Sequence, residues 1–497
     1  MNKNSQVFNP YLPLNEYIPD GEPHVFGDRV YVFGSHDREG GTTFCELDYT
    51  VYSAPVTDLT DWRCEGTTYR AEQDPHYCEA RRQLYAPDVV QGNDGRYYLY
   101  YALAGQAGRN GFDGPISVAV CDTPAGKYEY LGDVRYPDGR PLTRFIPFDP
   151  AVINDGGRIR LYYGWSLPVA FPKNRFGDRI GEMVMKNMFH KTTEEIRREP
   201  EGIMGANTVE LEDDMLTVKG EPVRIVPGID RSAGTGFEGH AFFEASSIRK
   251  VGDMYYFIYS SEKNHELCYA VSRFPDREFR YGGVIVSSGD IGIKGRTERQ
   301  RLAATGNNHG SIEQINGKWY VFYHRQTHLN SNNRQGCAEE IRLEEDGTIR
   351  QVPITSCGLN GKPLEPDGIY PAVIACVLTD GHMPHIANGV SRGKHPMITH
   401  SGGERYITGI RRNTVIGYRY FGFRKPVRVS LWIRGKGKGR FWITDGVKEH
   451  RVSIEVTGSG DWTKYGTVIR TEQTAPLYLK YDGSGMMELL QIELQTD

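Results

Sequence analysis

Along this chain a short apolar run, a turn built on Gly, Asp or Asn, and a second run rich in Tyr, Phe, Val and Ile recur as a unit. The unit occurs five times: HVFGDRVYVFG (24–34), VVQGNDGRYYLYY (89–101), AVINDGGRIRLYYG (151–164), SIRKVGDMYYFIYS (247–260) and SIEQINGKWYVFYH (311–324). A tight turn between two β-forming runs predicts a hairpin of well-buried strands. Fivefold recurrence predicts a radially repeated sheet, because one such unit cannot bury its own apolar faces. Further β-rich runs, such as CYAVSRF (268–274) and GCAEEIRL (336–343), supply the outer strands. Four strands per unit and five units make a five-bladed β-propeller; a β-sandwich with coincidental hairpins is the competing architecture.

Between the third and fourth units the spacing lengthens. There Thr192 and Glu195 form a capping-box pattern for one short helix, with Pro200 placed to stop it. After residue 355 the repeat ends. Residues 356–380 are rich in Gly and Pro and read as a packed connector. From 381 to 497 a different texture follows: ERYITGI, TVIGYRYFGF, VRVSLWIRG, GRFWITD, APLYLKYDG and MELLQIEL. These short alternating runs predict a β-sandwich of jelly-roll type. The expected organisation is all-β: a propeller over 1–355, a connector over 356–380 and a sandwich over 381–497.

Composition narrows the function. The chain has 497 residues, with 58 Gly, 31 Tyr and 20 Phe, which suits tight turns and aromatic strands. A net charge of −4 gives no electrostatic case for nucleic acid or for an anionic membrane. No stretch approaches the length of a membrane span. The start, MNKNSQVFNPYLP, has no apolar core of signal-peptide length. The eight cysteines show no CxxC and no metal-finger spacing, so they read as free thiols. A cytoplasmic protein is expected.

The candidate chemistry lies in the residue ahead of each repeat. Asp20, Asp88, Asp149, Glu244 and His309 each precede their aromatic strand by about ten residues, at intervals of roughly 60–70 that lengthen before Glu244. Equivalent positions in a radial sheet face one axis, so four acids and a histidine should converge there. Crowded carboxylates are costly unless protonated, hydrogen-bonded or paired with a cation. Glycoside hydrolysis needs such a set: one carboxylic acid to protonate the leaving oxygen and one carboxylate to activate water or attack. A third carboxylate nearby raises the acid's pKa. For any one of these acids, capping a turn at a strand start is the plain structural alternative.

The motifs NPYLP with IPDGEPHVF, GSHD, YAPDVV, FDPAVI, FFEASSIRK and NNHGSIEQINGKWYVFYHR, in this order over residues 9–355, resemble glycoside hydrolase family 43. The resemblance implies a five-bladed propeller and a glycosidase acting on arabinose- and xylose-containing glycans with inversion. It implies Asp20 as the general base, Asp149 as the residue that modulates the acid's pKa and orients it, and Glu244 as the general acid. Here the base stands in Asp20-Gly21-Glu22-Pro23-His24 where the family has a shorter Asp-Pro context, and Glu22 is thereby a rival. His309 matches a residue of the axial channel that serves a calcium ion through waters; no cofactor is implied for the chemistry itself. His240, Phe243, Arg325 and Trp165 are the candidate sugar contacts, with Trp165 equally suited to the core. More loosely, TVIGYRYFGF, LWIRG, DW and LKYDGSG resemble a family 6-type carbohydrate-binding sandwich that would bind sugar, buttress the propeller or shape the rim of its pocket. The expected activity is exo-release of terminal α-L-arabinofuranose or β-D-xylose from plant-cell-wall-type oligosaccharides. A retaining fructan- or sucrose-type hydrolase with Asp20 as nucleophile, or a sugar-binding propeller without catalysis, are the alternatives.

Overall fold

The computed structural model of the chain describes residues 6–106, 110–199 and 202–496. Its strands form seven sheets, five in the first two-thirds of the chain and two in the last third. The first sheet holds β1 (Glu22–Phe26), β2 (Arg29–Phe33), β3 (Tyr49–Pro55) and β4 (Arg63–Tyr69). The second holds β5 (Gln83–Gln91), β6 (Tyr97–Ala104), β7 (Ile116–Cys121) and β8 (Glu129–Asp133). The third holds β9 (Ala151–Asp155), β10 (Arg158–Trp165), β11 (Gly205–Leu211) and β12 (Val223–Pro227). The fourth holds β13 (Phe242–Val251), β14 (Met254–Ser261), β15 (Glu266–Ser272) and β16 (Arg280–Ser287). The fifth holds β17 (Ile312–Ile315), β18 (Lys318–Thr327) and β19 (Asn330–Ile341). Each sheet is antiparallel and in sequence order.

The hairpins expected from the repeat are present. Gly156–Gly157 and Asn316–Gly317 link β9 to β10 and β17 to β18 with φ positive at both turn positions. That is the turn whose twist matches two antiparallel strands. A separate apolar core lies between each pair of neighbouring sheets. Leu84 and Tyr101 pack against Phe33 and Val51, Val90 and Tyr100 against Leu161 and Tyr163, and Tyr162 against Phe257. Tyr256 and Ile258 pack with Val321, and Phe322 closes the ring against Val30 and Val32 of the first sheet. Each such fully buried side chain stabilises by roughly 1.5–3 kcal/mol. Tyr stands where Phe would do for packing because its hydroxyl meets polar groups at the core's edge. Tyr100 donates to the Met215 carbonyl at 2.6 Å, and Tyr101 to Asp74 at 2.5 Å.

The fifth sheet departs from the expected four strands. Its own chain supplies three, and the N-terminal segment lies along the free edge of β19. Asn9 exchanges hydrogen bonds with the backbone of Ala338 (2.9 and 3.0 Å), and the Tyr11 amide donates to the Gly336 carbonyl. This fastens the first sheet to the last. The insertion in the third sheet also differs. The short helix α2 (Thr193–Arg198) has the expected Thr192–Glu195 capping box, whereas Pro200 lies outside the described residues. A longer helix, α1 (Arg175–Met188), precedes it and was not read from the sequence. Gly177 and Gly181 are among its buried positions, so its inward stripe carries little apolar signal.

In the last third, the segment read as a connector contributes β20 (Gly368–Pro371) and β21 (Val377–Thr379) to the two sheets of the sandwich. These sheets also hold β22 (Met397–Ser401), β23 (Glu404–Ile410), β24 (Val415–Gly422), β25 (Val427–Gly435) and β26 (Lys438–Thr444). They are completed by β27 (Val452–Thr457), β28 (Thr463–Ile469), β29 (Thr474–Ser484) and β30 (Met487–Thr496). One sheet runs β22-β23-β30-β25-β28 with β20 beside β30; the other runs β21-β24-β29-β26-β27. Their inner faces enclose a core of Ile, Val, Leu and Phe side chains. On the outside, Arg451 lies 3.7 Å from the Trp442 ring centre and Arg434 lies 4.2 Å from that of Trp462, covering faces on which a sugar would stack.

Candidate active site

Three of the repeat acids meet in one cavity of about 260 Å³, lined by Asp20, Asp149 and Glu244 together with Phe44, Trp165, Phe243 and Arg334. Each is aimed by an unusual backbone. Asp20 and Asp149 have φ of 58° and 47°, a left-handed conformation that Asp tolerates better than most residues. Glu244 lies in a break of the β13–β14 register between Phe242 and Ser247, and Ala245 beside it has φ of 71°. Such a bulge re-aims a side chain out of the strand's alternation. Strained positions of this kind concentrate at functional sites.

Asp20 is buried, and Arg334 on β19 sets its charge. The Arg334 Nη1 donates to both Asp20 oxygens, at 2.8 and 3.1 Å. Its other edge is gripped by Asp37, which accepts from Nε at 2.8 Å and Nη2 at 2.9 Å. Burial alone would raise the Asp20 carboxyl, but Arg334, with smaller help from His309, His324 and Ser35, holds it below the ordinary range. Asp20 is therefore a carboxylate.

Glu244 is half-buried and meets the opposite environment. Burial, then the Asp20 charge, push its pKa up to about 7, against hydrogen bonds from Trp165 and Asn307. The Trp165 Nε1 donates to Glu244 Oε2 at 3.1 Å. Asp149 is buried with its Oδ2 accepting from the Ala245 amide at 3.1 Å, one residue beyond the acid. Burial, Glu244 and Asp20 raise its carboxyl well above the usual range. One cavity thus holds one carboxyl kept below the ordinary range and two raised above it, a separation of environments that suits one group to act as base and another as acid.

His309 lies between two of the acids, with Nδ1 3.9 Å from Asp20 Oδ1 and 3.8 Å from Asp149 Oδ2. Burial lowers its pKa to about 4, so the ring is neutral. It offers one nitrogen to a cation that prefers six to eight oxygens. Calcium there would draw most of its ligands from water.

Asp88, which leads the second repeat, does not line the cavity. Its oxygens accept from the Val89 and Val152 amides at 2.7 Å each, and Oδ1 also meets His24 Nε2 at 2.6 Å, so it ties the second sheet to the first and third. Glu22 is turned away as well: it pairs with Arg249 at 3.0 Å and is not a rival base at this cavity. Trp165 and Phe243 line the cavity as expected, and Trp165 also belongs to the apolar cluster behind it. His240 does not reach it, because its ring hydrogen-bonds Glu266 at 2.7 Å and stacks on Tyr281. Arg325 does not either; it donates to Gln335 and to the carbonyls of Val373 and Ala375, fixing the sandwich to the fifth sheet.

The residue that sequence reasoning missed is Arg334. Its signal was the run Asn330-Ser331-Asn332-Asn333-Arg334-Gln335, polar throughout yet buried in a strand. Ala387 and Asn388 of the last third also line the cavity. They sit on a strap held at two points: the Ile386 amide donates to the Thr305 carbonyl, in the segment before β17, at 2.6 Å, and the Ser331 amide of β19 donates to the Gly389 carbonyl at 3.0 Å.

Comparison with known proteins gives the following. Residues 18–349 match the family model of glycosyl hydrolases family 43. The chain is 45% identical to a xylosidase/arabinosidase of Thermoclostridium stercorarium, over 99% of both chains. It is 31% identical to a xylosidase/arabinosidase of Bacteroides ovatus, covering 63% of this chain and 87% of that one. Among solved structures, it resembles the β-xylosidase/α-arabinofuranosidase CoXyl43 from a compost metagenome (25% identity, TM-score 0.51, 69% of this chain and 96% of that one). An arabinoxylan arabinofuranohydrolase of Bacillus subtilis shares the fold over 99% of this chain and 98% of its own, at 19% identity and TM-score 0.50.

Proposed function

The chain belongs to glycosyl hydrolases family 43 and is a pentose-releasing glycoside hydrolase, and from that premise we propose that it removes single terminal pentoses, α-L-arabinofuranose or β-D-xylose, by one inverting displacement. The ionised Asp20 takes a proton from water as the water attacks the anomeric carbon. The protonated Glu244 gives its proton to the leaving oxygen. Asp149 accepts from the Ala245 amide and so fixes the backbone beside Glu244, while burial and the Asp20 charge keep Glu244 protonated. Trp165 and Phe243 supply apolar surface for a sugar face.

One observation carries this reading: within one cavity Asp20 faces a locked guanidinium while Glu244 faces indole and phenyl rings. A volume of about 260 Å³ falls just below the roughly 300–1,000 Å³ typical of drug-sized ligands, which suits one terminal ring better than an extended chain. Proton NMR of the first-formed sugar, on a panel of pentosides and arabinoxylan oligosaccharides, tests it. Inverted monosaccharide product is expected. Retained configuration would make Asp20 a nucleophile instead, and no turnover with tight sugar binding would leave a lectin.

We also place the protein in the cytoplasm, acting on short imported chains. All eight cysteines are unpaired, as a reducing compartment requires. No helix among the described residues is long and apolar enough to cross a membrane.

A further inference from the structure

At β15 of the fourth sheet and the loop beside it, three different ligand-type side chains converge on one point. Glu266 and Cys268 are two residues apart on β15 and so share a face of the strand. His240 arrives from the loop before β13. The separations are 2.7 Å from His240 Nδ1 to Glu266 Oε1, 3.6 Å from Cys268 Sγ to the same oxygen, and 3.8 Å from Cys268 Sγ to His240 Nδ1. None of the three touches the cavity of Asp20 and Glu244.

We propose that His240, Glu266 and Cys268 form a zinc-type divalent metal site, with water from the adjoining groove as fourth ligand. Tetrahedral zinc at about 2.0–2.3 Å from N, O and S sets ligand-to-ligand distances of roughly 3.3–3.6 Å. Two edges of the observed triangle are within a few tenths of an ångström of that. The short third edge is a hydrogen bond, and exchanging its proton for a metal lets it open. The donor set also balances charge: a carboxylate and a thiolate around a neutral imidazole offset a 2+ ion. Neutrality matters because the groove already carries Lys263, Arg296 and Arg299 against Glu298. The outer shell is in place. Ser261 Oγ donates to Glu266 Oε1 at 2.7 Å, and the Tyr281 ring stacks on His240 at 4.7 Å. Binding requires Cys268 as a thiolate and releases its thiol proton, so affinity rises with pH.

The consequence is structural. The ion would tie the loop carrying His240 to β15, four residues before Glu244, and raise the thermal midpoint without entering the reaction. The test uses the intact protein, stripped of metal and titrated with zinc chloride, by calorimetry and by metal analysis after dialysis. One zinc per chain is expected, with affinity lowered by more than about tenfold in Cys268→Ala and in His240→Gln. Cobalt(II) in place of zinc should give a near-ultraviolet thiolate-to-metal band that Cys268→Ala abolishes. Circular dichroism of each variant separates lost folding from lost binding. The proposal is overturned if the wild type takes up no zinc, or if folded variants bind it unchanged and the cobalt form shows no thiolate band.

Discussion

Arg334 holds Asp20 with a single guanidinium nitrogen, 2.8 Å from one carboxylate oxygen and 3.1 Å from the other. The remaining guanidinium nitrogens are spent on Asp37. One cation thus serves two buried carboxylates from opposite edges. The arrangement keeps Asp20 ionised in a place where burial would otherwise protonate it.

Arg334→Lys retains the charge but cannot grip Asp37 and reach Asp20 together, because a lysine is a point donor and not a fork. The expected result is a fall in kcat/KM of about 10²-fold or more. The acid limb of the pH profile should move upward as Asp20 regains part of its burial penalty. A pH–rate profile checks it; an unmoved acid limb would remove Arg334 from control of the base.

The alkaline limb belongs to the acid. In the proposed mechanism Glu244 works protonated, and its pKa is pushed up to about 7. Activity should therefore decline as pH rises through about 7, whereas the Asp20 limb lies below the ordinary carboxylate range. Asp149 titrates together with Glu244, so the observed midpoint is a property of the pair. Measuring kcat/KM from pH 3 to 10 is the check.

Glu244→Gln removes the proton donor. Turnover of oligosaccharides should drop by about 10²–10⁴-fold, with a smaller loss on p-nitrophenyl glycosides, whose leaving group needs little protonation. The same change should stabilise the protein. A carboxyl raised from 4.5 to about 7 in the folded state keeps a proton that the unfolded chain has lost. Wild-type stability therefore falls as pH rises between those values. Thermal midpoints should coincide near pH 4.5 and favour the variant by several degrees at pH 8.

Much of this site was legible because the repeat is legible. A polar residue at one phase of five hairpins pointed to the axis, and Asp20, Asp149, Glu244 and His309 do gather there. Phase alone could not say how deep each residue sits, so Asp88 was grouped with them although backbone amides of two sheets consume it. Arg334 was illegible for a different reason. Its partners Asp20 and Asp37 are some 300 positions away, and a long-range ion pair leaves no local pattern. His240 and Arg325 were read by proximity in sequence to Glu244 and to the aromatic strand. In a strand, neighbouring residues point to opposite faces, so nearness along the chain is weak information about a shared cavity.

Trp165 joins two roles that looked exclusive in the sequence. It packs against Phe112, Phe189 and Phe243, and its Nε1 donates to the acid. That hydrogen bond favours the ionised form of Glu244. Trp165→Phe deletes the donor and keeps most of the ring, so the Glu244 pKa should rise and the alkaline limb should move upward. A downward shift would mean that packing, and not the indole N–H, dominates the acid's environment.

The strap of the last third sets the final expectation. Ala387 and Asn388 reach the cavity where the backbone around them is pinned to Thr305, ahead of the fifth sheet, and to Ser331 of β19. Both are exposed, whereas Asp20 and Asp149 are buried, so in the proposed mode of binding the Asn388 amide stands at the rim, where the substrate beyond the released ring would pass. Asn388→Ala should therefore raise KM several-fold for xylo- and arabinoxylo-oligosaccharides. Hydrolysis of p-nitrophenyl pentosides, which have no sugar in that position, should stay within about twofold, since a single side chain at a rim carries little energy. A parallel loss on both substrate types would instead mean that Asn388 acts through the cavity floor. An unchanged KM on the oligosaccharides would leave the last third with only the buttressing that Arg325 already provides.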